Sequence, residues 1–371
     1  MSSFSSDLKK IYYDPKIFYL QKYGGISKYF VNLVINLNKN IYEPKIIAPI
    51  FINEYLSEIK HTYKKNILKI NKHPKFTRKI SNFINDKYFS LYSNLNNPEI
   101  IHSTYYSKIK KKKNCKIVIT VYDLIHEIYS NQFNFSGKNS SKNEYLDLAD
   151  KIICISENTK KDLLNYYKVE EKKIVVVPLG YTSNKECEPI DELNPLKPYF
   201  LFVGDRNNYK NFASLIKSYG NSKVLKENFD IICFGGGNFS TEEKKLIHDE
   251  NINFEKIKIF SGDDKKLNFL YKNASLYVCP SLYEGFGLTI LEAMNMNCPI
   301  IASNSSSIKE IGKNKIEYFD PKSIEDMQSK IEKLIFNKEK IDKMINEYPE
   351  HLKNFSWEKT AFLTEKVYEE L

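Results

Sequence analysis

The chain has 371 residues, 42% of them hydrophobic, with 56 Lys+Arg against 46 Asp+Glu and a formal net charge of +10. This composition excludes a fibrous or disordered chain and supplies apolar material for two cores, at roughly 100–200 residues per domain. The excess charge is nearly all lysine and fits either a compositional bias of the source genome or attraction to anionic lipid and phosphate groups.

The opening MSSFSSDLKK has no apolar signal-peptide core, and no apolar run approaches the ~20 residues that span a bilayer. A cytoplasmic protein, soluble or peripheral on the inner face of the cell membrane, is therefore expected. Ile11–Tyr13 reads as a first strand. A polar turn follows and ends in Gly24-Gly25. Ile26, Phe30, Leu33, Val34 and Leu37 then repeat at helical spacing. Lys45–Pro49, Ile100–Ser103, Lys116–Val121, Ile152–Ile155 and Ile174–Val177 read as further strands, and Ser156 or Asn158 can cap a helix through Tyr167.

Residues 182–198, TSNKECEPIDELNPLKP, carry three prolines and little periodicity, which reads as a linker. Beyond it the alternation restarts with strands at Tyr199–Val203, Ile231–Phe234, Ile257–Phe260, Leu276–Pro280 and Ile300–Ala302. Helices are predicted at Phe212–Ser218, Lys265–Lys272 and Leu288–Met296, with a helical tail from Ser323. Alternating β and α elements predict parallel sheets with crossover helices, whose ligands sit at the carboxyl ends of the strands. The fold class is α/β, with two doubly wound domains: 1–181, then the linker 182–198, then 199–350, and a closing helix over 351–371.

Six cysteines without a CxxC pair, four of them in or beside strand-like runs, fit reduced thiols rather than a disulfide framework. The basic stretches Lys64–Lys79 and Lys108–Lys116 fit solvated faces or a patch for an anionic membrane surface.

The segment Pro280–Ser303, PSLYEGFGLTILEAMNMNCPIIAS, is the richest in chemistry. Gly285 and Gly287 allow close backbone approach to a ligand, and the free N–H groups opening the Leu288 helix suit a diphosphate. Glu284 before that helix and Glu292 about one turn into it can accept hydrogen bonds from hydroxyls of one ligand. Arg206 and Lys210 follow the Tyr199–Val203 strand, where two cations suit a diphosphate leaving group. A glycine-rich turn before an amphipathic helix also arises for structural reasons alone, so the residues by themselves leave both readings open.

The Glu284…Glu292 spacing and the surrounding FSGDDKKLNFLYKNASLYVCPSLYEGFGLTILEAM resemble the E-x7-E donor-binding half of the retaining family-4 glycosyltransferases of the GT-B fold. YLQKYGGISKYFVNLV, IHSTYY, TVYDLIHE, ICISENTKKDLLNYY and VPLGY resemble that family's acceptor domain. YFLFVGDRNNYKNFASLIKSY resembles the opening of its donor domain, and FSWEKTAFLTEKVYEEL its closing helix, which crosses back to the first domain. The resemblance covers almost the whole chain and is closest to transferases of bacterial capsule, lipopolysaccharide or O-antigen assembly.

It implies two Rossmann-like domains facing across a cleft, a nucleotide-sugar donor, GDP- or UDP-linked with a GDP-hexose such as GDP-mannose favoured, and a saccharide or polyprenyl-linked acceptor. It implies that Gly24 and Gly25 contact the donor phosphate, that Phe286, Gly287 and Leu288 supply backbone N–H groups, and that Gly262 and Asp263 lie near the nucleobase. Many relatives carry His where Tyr122 stands, which leaves Asp123 and His126 as candidates beside the donor sugar or acceptor hydroxyl. His102 is an acceptor-side candidate. The family word places Arg directly after the glycine, whereas here Asp205 intervenes before Arg206.

Gly235-Gly236-Gly237 lacks the GxGxxG pattern and reads as a loop near the donor cleft. Asp263-Asp264 is not a D-x-D clamp, and no His/Cys cluster has metal spacing, so no metal and no other cofactor is expected. Nothing interleaves aromatics with the basic runs as nucleic-acid binding would. A sugar-nucleotide epimerase or a phosphorylase of similar architecture, and a non-enzymatic basic protein, are the competing readings.

Overall fold

The computed structural model describes residues 8–71, 78–107, 109–130, 132, 142–193, 197–206 and 208–371. They divide into two compact units. The first runs to Ile128, resumes through Gly180 and closes with Ser356–Leu371; the second is built mainly from Tyr181–Phe355.

In the first unit the strands are β1 (Lys9–Tyr13), β2 (Tyr42–Ile47), β3 (Ile50–Phe51), β4 (Lys64–Lys65), β5 (Leu68–Lys69), β6 (Ile100–Ser103), β7 (Lys116–Val121), β8 (Lys151–Cys154) and β9 (Ile174–Val176). Seven form one parallel sheet in the order β4-β2-β1-β6-β7-β8-β9, while β3 and β5 pair separately. Five consecutive residues of β7, Ile117–Val121, are buried, as a parallel strand covered on both faces requires. The strand order reverses at β1 and β6, where Tyr13 lies in register with His102.

Two features of this unit depart from the sequence reading. A helix, Lys16–Leu20, occupies the stretch read as a polar turn, and Asp14 Oδ1 accepts the Lys16 N–H at 2.8 Å at its start. A 19-residue helix, Arg78–Asn96, starts at the end of the Lys64–Lys79 basic stretch and runs on through residues to which the sequence reading assigned no element. The Trp357–Glu369 helix also belongs here. Ser356 caps it, and its Thr360 hydroxyl donates to the Pro178 carbonyl at 2.8 Å. A Cβ on Gly180 would stand 2.3 Å from Trp357 N, so only glycine lets the two segments approach this closely.

The second unit holds β10 (Tyr199–Val203), β11 (Asp230–Phe234), β12 (Ile257–Phe260), β13 (Leu276–Cys279), β14 (Ile300–Ser303) and β15 (Glu317–Phe319). They form a parallel sheet in the order β12-β11-β10-β13-β14-β15, with its reversal between β10 and β13. The stretch read as a linker is stitched to the Asp264–Asn273 helix of this unit. Asn268 Nδ2 donates to the carbonyls of Asn184 and Glu186, and the Glu188 N–H donates to the Lys265 carbonyl. Among the described residues no helix is long and apolar enough to cross a membrane.

Candidate active site

The strand-order reversal of a doubly wound sheet opens a crevice outside the strands' carboxyl ends. In the second unit two loops meet there, one after β10 and one after β13. Gly204, at φ +120°, turns the first loop so that the Lys210 ammonium lies over it. Lys210 Nζ donates to Glu284 Oε1 at 2.7 Å, and Ser281 Oγ donates to the same oxygen at 2.6 Å. Burial alone would push the Lys210 pKa down; the Glu284 carboxylate beside it outweighs that and holds it above the ordinary lysine range.

Both loops are braced. The Leu282 N–H donates to the Tyr209 carbonyl at 2.7 Å. Asn211, in the left-handed region at φ +56°, donates from Nδ2 to the carbonyls of Pro280 and Pro321. The Glu284 N–H donates to Ser306 Oγ, and Ser307 Oγ donates to the Glu284 carbonyl. Asn211, Ser281, Ser306 and Ser307 escaped the sequence reading. Only their nearness to Lys210 and Glu284 in sequence or fold distinguishes them from ordinary turn residues.

Gly287 begins the Leu288–Asn295 helix at φ +103° and offers no capping side chain, so the first-turn amides keep their partial positive charge for a ligand. Phe286 is buried with its ring edge-on to Phe355. Glu292 is the fifth residue of that helix and is half-buried. Gly262 and Asp263 follow β12, two strands from β10 at the sheet edge. Asp263 Oδ1 accepts from the N–H groups of Lys265 and Lys266 as a helix cap.

Arg206 takes a different part from the one expected. Its side chain is 2% exposed, and its Nε donates to Glu243 at 2.8 Å. Its remaining nitrogens donate to the carbonyls of Gly235, Gly236, Gly237 and Asn238. The three glycines all adopt positive φ, which turns those carbonyls onto the guanidinium. A fork already closed on its own loop has little left for a diphosphate, so Arg206 braces the glycine turn.

The first unit gathers polar groups at its own strand-order reversal. Asp14, 1% exposed, accepts from the Thr104 N–H and from the hydroxyls of Ser103, Thr104 and Ser107, tying the end of β1 to the end of β6. Gly24 and Gly25 open the Gly25–Asn36 helix. The Gln21 carboxamide packs so closely over Gly24 that a Cβ there would meet it at 2.4 Å, and its Oε1 accepts the Ser27 N–H. Beyond β7, Asp123 Oδ1 accepts the Ile125 N–H at the start of a short helix carrying half-buried His126. Burial raises the Asp123 carboxyl pKa against the opposing pull of that N–H and of the Lys142 charge. Lys142 is itself buried, paired with Glu127 at 2.7 Å. Tyr122 donates its buried hydroxyl to the Thr104 carbonyl.

His102 is wholly buried, with its ring nitrogens bonded to Tyr368 and Thr120 at 2.7 and 2.8 Å. With no exposed surface it cannot touch an acceptor, and it acts as a packing group beneath the Trp357–Glu369 helix.

Two family models run end to end along the chain. Glyco_transf_4, Glycosyltransferase Family 4, matches residues 23–185, and Glycosyl transferases group 1 matches residues 183–351. The chain belongs to the family-4 glycosyltransferases. It is 25% identical over 238 residues to O-antigen chain mannosyltransferase B of Escherichia coli, covering 62% of each chain. It is 28% identical over 226 residues to O-antigen chain mannosyltransferase RfbU of Salmonella typhimurium, covering 58% of this chain and 60% of that one. The matches thus span about three fifths of those relatives' length. A solved glycosyltransferase from Rickettsia africae superposes with a TM-score of 0.72 at 20% identity over 98% of both chains. The fold of this family-4 glycosyltransferase is GT-B, and its E-x7-E segment supplies the Glu284 half of the Lys210–Glu284 pair.

Proposed function

We propose that the chain is a retaining hexosyltransferase. It moves a hexose, mannose in this reading, from a GDP-linked donor onto a saccharide or polyprenyl-linked saccharide during bacterial surface-polysaccharide synthesis, at the inner face of the membrane. The observation that carries the proposal is the Lys210–Glu284 pair at the β10/β13 crevice, with Glu284 in the loop that leads to the helix N-terminus at Gly287. The Escherichia coli and Salmonella relatives, both named O-antigen chain mannosyltransferases, support mannose.

In this reading Glu284 holds Lys210 until the donor arrives. The diphosphate then takes the ammonium and the N–H groups of Gly287 and Leu288, and a freed Glu284 accepts sugar hydroxyls. Glu292 accepts from the ribose, Gly262 and Asp263 lie near the base, and Gly24 and Gly25 approach the distal phosphate. The anomeric C–O bond breaks with its electron pair going to the diphosphate, whose charge these donors stabilise. The acceptor oxygen bonds to the same face, and its proton goes to the departing phosphate oxygen. Asp123 and His126 position the sugar or the acceptor hydroxyl. No metal ion is assigned a role.

A thermal-shift panel of GDP- and UDP-sugars tests the donor, because a ligand that binds only the folded state raises its stability. GDP-mannose is expected to give the largest shift. Lys210→Ala is expected to lower kcat/KM by roughly 100- to 1000-fold, the cost of losing one transition-state donor. Turnover unchanged in Lys210→Ala and in Glu284→Gln would reject the reading.

A further inference from the structure

The Arg78–Asn96 helix carries an apolar stripe on its outward side. Its buried positions are Asn85, Phe89 and Ser93. Its outward positions include Ile80 (60% exposed), Phe83 (61%), Ile84 (44%), Leu91 (59%) and Leu95 (74%). At 3.6 residues per turn these five side chains fall within an arc of about 120°, opposite the buried side. A helix that serves only to pack against its own domain turns its apolar stripe inward. Here the inner side has its own packing, Phe89 in the core with Tyr88 and Tyr92 against it, and polar bonds beside that: Asn85 Oδ1 accepts the Ile50 N–H and its Nδ2 donates to the Ile50 carbonyl, both at 2.9 Å, and Lys112 Nζ donates to the Ser93 carbonyl at 3.0 Å, so the outward stripe is not needed to hold the helix in place. Asn85 thereby ties the helix to the β3–β5 ribbon, which exposes Ile67 and Leu68 in turn.

Charge selects the occupant of this face. Residues 60–96 contain nine Lys or Arg and a single acid, Asp86. Lys79 and Lys87 are exposed on the helix, and the Lys87 ammonium stands 5.4 Å above the Phe83 ring, with its stem along the apolar stripe. Lys79 flanks the apolar arc and Lys87 stands within it, and an apolar stripe with lysines whose stems can lie along it is the pattern of a helix in the interface of an anionic bilayer. We propose that the Arg78–Asn96 helix is an interfacial anchor that sets Ile80, Phe83, Ile84, Leu91 and Leu95 into the surface of an acidic phospholipid membrane. This deepens the membrane-side part of the proposed function and rests on it for the leaflet alone.

The test is flotation of the full chain with vesicles of phosphatidylglycerol and phosphatidylethanolamine, against pure phosphatidylcholine vesicles, at low and high salt. The wild-type chain is expected to float with the acidic vesicles and to be released by salt. Phe83→Ser/Leu91→Ser/Leu95→Ser is expected to lose partitioning by roughly 100-fold. Lys79→Ala/Lys87→Ala is expected to lose about 30-fold, at about 1 kcal/mol per basic residue. Both variants alter exposed positions, so the same thermal unfolding midpoint and the same nucleotide-sugar shift as wild type are expected. Failure of the wild-type chain to float, or flotation of the triple variant like wild type, overturns the proposal. So does a lipid-independent dimer that the triple variant abolishes, because the face is then covered by a second copy. Failure of the wild-type chain to float while it keeps its nucleotide-sugar shift rejects the anchor and leaves the transferase reading standing; flotation of the wild-type chain without any nucleotide-sugar shift does the reverse.

Discussion

Arg206→Ala separates the two parts this side chain could play. In the structure its Nε is paired with a largely buried Glu243 and its terminal nitrogens hold four loop carbonyls. Breaking a buried pair by removing one partner costs about 3–5 kcal/mol; because Glu243 is 14% exposed, the lower end, about 3 kcal/mol, is the fitting figure. For a unit of this size each kcal/mol moves the midpoint by about 2–4 °C, so the second unit is expected to melt roughly 6–12 °C lower. Differential scanning calorimetry reads this directly. Nucleotide-sugar affinity, measured by calorimetric titration well below the melting range, is expected to fall much less than in Lys210→Ala. An Arg206→Ala protein that melts like wild type yet loses donor affinity tenfold or more would refute the bracing role and return the guanidinium to the diphosphate.

The buried His102 gives a pH prediction. Burial pushes its pKa down to about 3, so the folded state stays neutral where the unfolded chain, near 6.5, takes up a proton. Its contribution is whole above pH 6.5 and is lost as pH falls towards 3, amounting to about 2–3 kcal/mol at pH 4.5; urea unfolding across that window is expected to show a shallower slope for His102→Gln. Gly180→Ala forces a methyl onto the Trp357 backbone and is expected to cost at least about 2 kcal/mol, with faster proteolytic clipping near residue 356. EDTA dialysis is expected to leave transferase turnover unchanged, because protein donors carry the leaving-group charge in the proposed mechanism; loss of turnover restored by Mg²⁺ would contradict that.

The strands were the legible part of this sequence. Runs such as IVITV and YFLFV are almost wholly apolar because both faces of a parallel sheet are covered, and β7 and β10 fall where those runs stand. Lys210 and Glu284 were legible because a cation and a carboxylate follow strands that the β-α alternation brings side by side. Arg206 was not, since a loop cation reads the same whether it faces a ligand or its own carbonyls; only the positive φ of Gly235, Gly236 and Gly237 decides between them. His102 looked like a site residue because a sequence does not show Tyr368 arriving, some 266 positions later, to cover it. The prolines of 182–198 read as a linker; that Asn268 holds its Asn184 and Glu186 carbonyls is something no local pattern announces. The Arg78–Asn96 helix went unread past Lys79, because its apolar residues fall on both of its sides and give no single core-facing stripe.

The Trp357–Glu369 helix has a consequence for how the protein is made. Tyr13, Tyr29 and His102 lie in the first half of the sequence, yet Trp357 and Tyr368 pack against them within the first unit. During translation about 175 intervening residues, Tyr181–Phe355, leave the ribosome before that cover exists. A nascent amino-terminal half therefore waits with an aromatic seam open to solvent, and chaperones or a frameshift near the distal codons would act on that half rather than on the one being synthesised.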